Sequence, residues 1–198
     1  MSGNTEDERR DDAYRALIEA GFPRAYLPSE ELRQRPVTSA MLRDVPLYDD
    51  EAYGVKLGEE IPAESQVDLF YRSCKKGFTG VGVFAAIRHP FPARYAAFAY
   101  AAERVMRGRL DPTRTAWRMI EYGFKDAWLD NDKSTIYQPD LLIVDAMYRD
   151  CNIQRIEKIR SYVELNAKTT IVIAAGLSPV EAAYKRLNIE YGRVLFFL

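Results

Sequence analysis

Three short stretches in the second half of the chain are apolar almost without interruption: LLIVD from Leu141, TTIVIAAG from Thr169 and RVLFFL from Arg193. A strand with one wet face alternates apolar and polar side chains, whereas an unbroken apolar run of this length suits a strand buried on both faces. Between them, IQRIEKIRSYVELN carries Ile156, Ile159 and Val163 at helical spacing. Ser178, Pro179 and Glu181 then form a sharp helix start before the segment that ends near Asn188. Strands alternating with helices predict an α/β fold: a parallel sheet with helices on both faces.

The 198 residues, 47% of them hydrophobic and 12% aromatic, suffice for one substantial core. A net charge of -1 conceals an asymmetry. Residues 1–66 carry 15 acidic and 8 basic side chains, leaving 14 acidic and 20 basic for the remainder. We therefore expect an acidic arm over 1–65, disordered in its first twelve residues, followed by a core over 66–198. In the arm, Ala13, Leu17, Ile18 and Ala20 share one side of a helix that Gly21 and Pro23 stop. The basic core leaves DNA contact open.

No apolar run approaches the ~20 residues that span a bilayer, and the opening MSGNTEDERRDD lacks a signal-peptide core, so a cytoplasmic protein without membrane contact is expected. Cys74, Cys151 and the single His89 offer neither zinc spacing nor a nucleophile pair. In the middle of the chain, QVDLFYRS reads as a strand and ARYAAFAY as a second one. DPTRTAWRMIEYGFKDAWL reads as a helix with Trp117, Ile120, Phe124 and Trp128 on one stripe.

Between the two expected strands stands KKGFTGVGVF, Lys75 to Phe84. Gly77 and Gly82 have the spacing of the phosphate-cradling loop G-x-x-x-x-G-K-[ST], yet Val83 and Phe84 occupy its lysine and hydroxyl positions. Counting instead from VDLFY puts Gly77 on the last loop glycine, Phe78 on the lysine and Thr79 on the magnesium-binding threonine. Neither register supplies the lysine. Asp145, at the end of LLIVD, stands where a carboxylate could hold magnesium beside a nucleotide, or could simply cap the next segment.

Taken in order, EAGFPRAYL, QPDLLIVDAM and AKTTIVIAAGLSPVEAAYKRL followed by YGRVL resemble the AAA+ core of replicative-helicase loaders of the DnaC type and of IstB-type transposition ATPases. The resemblance covers roughly residues 13–198. It implies a P-loop NTPase core, here expected without a C-terminal lid because only five residues follow Arg193. QPDLLIVDAM looks like the Walker B strand, the next block looks like the sensor 1 strand, and Arg193 looks like the arginine that can act on a neighbouring subunit's nucleotide, though a basic residue opening a strand is equally ordinary. The departures fall on catalytic positions: no loop lysine, Ala146 in place of the Walker B glutamate, and Ala175 or Gly176 in place of the sensor asparagine. Losses at three members of a jointly acting site argue against hydrolysis.

The resemblance therefore implies a protein of phage or mobile-element DNA replication that binds a replicative helicase, a helicase loader or another AAA+ ATPase, with no cofactor. Two alternatives stay open. One is an active loader in which Lys75 or Lys76, Gly77, Thr79 and Asp145 hold ATP and magnesium. The other is a self-associating assembly protein, a homo-oligomer, that pairs through its terminal strand.

Overall fold

A computed structural model describes residues 5–27, 63–86, 90–119, 139–146, 169–175 and 194–197. Its elements run α1 (Glu6–Glu19), a 3-10 turn (Arg24–Tyr26), α2 (Ala63–Lys76), β1 (Gly80–Ala86), α3 (Pro90–Met106), a second 3-10 turn (Pro112–Arg114), β2 (Thr115–Met119), β3 (Leu141–Ala146), β4 (Thr169–Ala175) and β5 (Val194–Phe197). The five strands form one sheet in the order β2-β3-β4-β1-β5, and every pairing is parallel. The α/β architecture and the three apolar strands expected from the sequence are present.

Helix α1 begins earlier than expected. Thr5 accepts from the amide of Glu8 while the Glu8 carboxylate accepts from the amide of Thr5, a reciprocal capping box, and Glu6, Asp7 and Glu8 place negative charge at the positive end of the helix. Residues 6–12, expected to be disordered, are therefore helical. The helix ends in a Schellman motif: the amide of Phe22 donates to the carbonyl of Leu17 and that of Gly21 to Ile18. Gly21 sits at φ 98°, which a side chain would oppose. This turn folds Phe22 back against Leu17 and sends Ala13, Tyr14, Leu17, Phe22 and Tyr26 into the same apolar cluster as the sheet.

Three expectations fail in the middle of the chain. The segment read as a strand at QVDLFYRS lies within α2. Its Val67, Phe70 and Cys74 are spaced for one helical face, and Phe70 and Cys74 are buried while Tyr71, Arg72, Lys75 and Lys76 are exposed. ARYAAFAY, also read as a strand, is the middle of α3. Alanine is the best helix former, and Ala93, Ala96, Ala97, Ala101 and Ala102 are buried, so the helix is apolar nearly all round because it lies inside the protein. The strand between them is the glycine-rich stretch itself, β1.

The third failure is β2, expected within a long helix. Asp111 does cap, accepting from the amide of Thr113 at 2.9 Å, but only for the single turn Pro112–Arg114. The chain then extends because Thr115–Met119 pairs with Leu141–Asp145. The start of that pairing is pinned twice: Arg114 forks onto Asp140 at 2.8 and 3.2 Å, and the amide of Asp140 donates to the carbonyl of Arg114. The parts of the expected helices over 120–129, 153–166 and 179–188 lie outside the described residues.

The strands expose alternate residues to α3. Phe84, Ile171, Ile173, Leu141, Ile143 and Trp117 meet Phe98 and Tyr100 in one cluster. Val83, Val172, Leu142 and Val144 point the other way and are buried too, which accounts for the unbroken apolar runs. Burial pushes the Cys74 thiol well above its ordinary 9.0 and the Tyr100 phenol up to about 12.

Two outcomes follow for stability. Leu17→Ala should lower the unfolding free energy by about 2–5 kcal/mol in a urea titration, as for a fully buried leucine. A cost below ~1 kcal/mol would show that α1 is not part of the core. Above the ordinary thiol value the unfolded chain releases protons that the folded chain retains at Cys74 and Tyr100. Stability should therefore fall as pH rises from about 9, the ordinary thiol value, towards about 12, and fall less in Cys74→Ala.

Candidate functional site

The two strands whose connections run in opposite directions along the sheet are β1 and β4: β1 leads towards the β2 edge, and β4 leads past β1 to β5. In open parallel sheets ligands bind beyond the carboxyl ends of the strands at such a reversal. Asp145 lies at that end, on β3 beside β4. It is the sequence-predicted residue best placed for chemistry.

Its carboxylate is already engaged. Arg94, one turn into α3, donates from Nε to Oδ2 at 2.8 Å and from Nη2 to Oδ1 at 3.1 Å. The Asp145 side chain is 0% exposed and that of Arg94 13%. A bidentate fork of this kind occupies both carboxylate oxygens and neutralises the charge. Divalent cation binding at Asp145 would have to displace a permanent positive charge or tolerate it as a neighbour.

Aromatic rings hold the arginine in place. Its guanidinium lies 4.5 Å from the centre of the Tyr26 ring, which stacks on Trp117 at 5.7 Å, and Trp117 meets Phe22 edge-on at 5.3 Å. The Tyr26 phenol is raised above its ordinary value chiefly by burial; Arg94 lowers it and Asp145 raises it. Tyr26 comes from the N-terminal segment, Arg94 from α3 and Asp145 from β3. The site is thus assembled by tertiary packing, and FPRAY of the N-terminal segment forms one wall.

The other predicted residues lie elsewhere. Lys75 and Lys76 are in the last turn of α2, Gly77 follows at φ 74°, and Thr79 directly precedes β1. They stand at the amino-terminal edge of the sheet: Thr169, first residue of β4, donates from its hydroxyl to the carbonyl of Phe78 at 2.7 Å. From Leu141 to Asp145 is four residue steps, about 13 Å of strand. Lys75, Lys76, Gly77 and Thr79 are therefore at the opposite end of the strands from Asp145 and are not brought together with it. Arg193 lies outside the described residues.

The expected loop register fails because VDLFY is helix. The strand that leads into a crossover helix is β1, and its connection to α3 reads Ile87-Arg88-His89, without glycine or lysine and outside the described residues. Sequence reasoning missed Arg94 altogether. The available signal was Pro90 ahead of an alanine-rich run, since proline is favoured at the first helical position. Among the described residues no group of His, Cys, Asp and Glu side chains is arranged to hold a metal ion, and no helix is long and apolar enough to cross a membrane.

Comparison with protein-family models, with curated proteins and with solved structures returns no match to this chain.

Removing either member of the buried pair should leave the other uncompensated. Arg94→Ala or Asp145→Ala should each cost about 3–5 kcal/mol in denaturant unfolding. The double variant Arg94→Met/Asp145→Leu should cost clearly less than the sum of Arg94→Met and Asp145→Leu. Strict additivity would mean that the two side chains do not interact.

Proposed function

We propose that the protein is a non-hydrolysing relative of the AAA+ helicase loaders that acts in DNA replication by binding a replicative helicase, its loader or a related ATPase. The single observation that carries this reading is the Arg94–Asp145 fork. It puts a protein cation where a Walker B aspartate would otherwise face magnesium, and so replaces the metal-dependent charge pattern by an internal one.

The strand order gives further support. β1, which leads into the crossover helix, lies within the sheet; the candidate sensor strand β4 is beside it and the candidate Walker B strand β3 comes next. The proposed reading needs these three strands side by side and parallel, as they are. Losing Asp145 to an ion pair agrees with the missing lysine, glutamate and asparagine, because the lysine and aspartate would hold the phosphates and magnesium and the other two would serve hydrolysis, so the four act as one site.

The binding surface we assign to the partner is the outer side of α1. Its Ala13, Tyr14 and Leu17 face the core, which leaves Asp7, Glu8, Asp11 and Asp12 on the exposed side. Removing the whole N-terminal segment is not a clean test of that surface, because residues 13–26 also complete the core. Charge reversal on the outer side separates the two roles.

In calorimetry with ATP and magnesium, we expect no binding tighter than about 100 μM that depends on Asp145. Binding that is tighter and disappears in Asp145→Asn would overturn the reading. Purified replicative helicase should co-elute with the protein, and Asp11→Lys/Asp12→Lys, beyond the first turn of α1, should weaken that association with little change in thermal stability, since Asp12 gives up only an exposed pair with Arg15.

A further inference from the structure

A cavity of about 590 Å³ opens at the amino-terminal edge of the sheet, far from Asp145. Among its lining residues are three cations, Lys76, Arg104 and Arg109, and one carboxylate, Asp140. Arg114 already holds Asp140 in a two-point fork. The cavity therefore has an excess of positive charge, and its one acidic neighbour is already engaged.

The arginines are arranged by the backbone around them. Arg109 Nη1 donates to the carbonyl of Lys75, fixing the end of α2 to the turn after α3. The Arg104 guanidinium lies flat against Gly77: a Cβ there would fall 2.7 Å from Cζ and 2.8 and 2.9 Å from the two terminal nitrogens. Gly77 also has φ 74°, a conformation that favours glycine, and a side chain there would push the Arg104 guanidinium aside. Arg104 is nevertheless poorly satisfied. Nη2 reaches the carbonyl of Arg109 only at 3.5 Å, and Nη1 is buried without a hydrogen-bond partner among the described residues. A half-buried guanidinium with a buried spare donor favours an anionic acceptor.

We propose that this cavity binds the phosphate group of a small phosphate monoester. Arg104 and Arg109 supply planar donors suited to phosphate oxygens, and Lys76 adds a mobile point charge. The wall beside them is apolar: Phe78 lies against Tyr100 with ring centres 5.5 Å apart, and Leu110 completes that side. This gives room for an organic group next to the phosphate. The site uses no magnesium and does not involve Asp145, so it is independent of the functional reading above.

The test is calorimetry, with thermal shift as a second readout, in buffer free of phosphate and magnesium. The probes are inorganic phosphate, adenosine 5′-monophosphate, adenosine and a single-stranded oligonucleotide. Adenosine 5′-monophosphate should bind and raise the melting temperature. Inorganic phosphate should bind more weakly, and adenosine should not bind. Lys76→Gln, at an exposed side chain, should keep the native melting temperature, whereas Arg109→Gln, which also loses the bond to the Lys75 carbonyl, should lower it slightly; each should weaken binding by about 10-fold, the loss expected for one charged hydrogen-bond donor. Arg104→Lys, which keeps the charge but loses the planar fork, should weaken it as well.

No binding of either phosphate probe at millimolar concentration would overturn the proposal. So would binding unchanged in both Lys76→Gln and Arg109→Gln, or binding of adenosine equal to that of its monophosphate. Binding of the oligonucleotide alone would overturn it in favour of a nucleic-acid surface.

Discussion

Helix α3 is the element on which the rest of the structure depends. It packs between the sheet on one side and α1 and α2 on the other, so it must be apolar nearly all round and slender enough to let its neighbours approach. Its run of buried alanines meets both needs at little cost in side-chain entropy. Phe98 and Tyr100 supply the bulk. Phe98 meets Tyr14 and Phe22 from the N-terminal segment at 5.6 and 5.2 Å, and Tyr100 meets Phe84 of β1. Without α3 the N-terminal segment would have nothing to pack on and one face of the sheet would be bare.

The same helix also sets the electrostatics at both edges of the sheet. Near its start, Arg94 reaches the carboxyl edge and neutralises Asp145. Near its end, Arg104 reaches the amino edge and leaves positive charge around a cavity. One edge is a closed, internally satisfied ion pair and the other an open, unsatisfied one. A buried pair that is fully matched resists rearrangement, because separating it leaves two uncompensated charges. Ligand chemistry is therefore easier to place at the amino edge than at the site the topology would suggest first.

This contrast bears on the glycine-rich stretch. Its spacing resembles a phosphate loop, and Lys76, Gly77 and Thr79 do line a cavity suited to an anion, but at the opposite edge of the sheet. Gly77 is needed there to let a guanidinium lie against the backbone and to turn the chain out of α2. The turn at Gly77 and the basic pair before it were legible in the sequence. Their position was not, because VDLFY was read with a period of two when it carries the period of a helix.

The strands LLIVD, TTIVIAAG and RVLFFL were legible in the sequence itself: short continuous apolar runs beside proline or glycine suit the strands of a parallel sheet covered by helices. The end of α1 was equally local, since Gly21 followed by Phe22 and Pro23 allows little else. Only tertiary structure decided the segments with weaker local preference. VGVF became a strand because β4 and β5 pair with it on either side, ARYAAFAY a helix because it lies inside the protein, and TAWRM a strand because β3 offers it a partner. The state of Asp145 belongs to the same class. Nothing in its own neighbourhood distinguishes a metal ligand from a buried ion-pair partner; that was decided by Arg94, 51 residues away in sequence and 2.8 Å away in space.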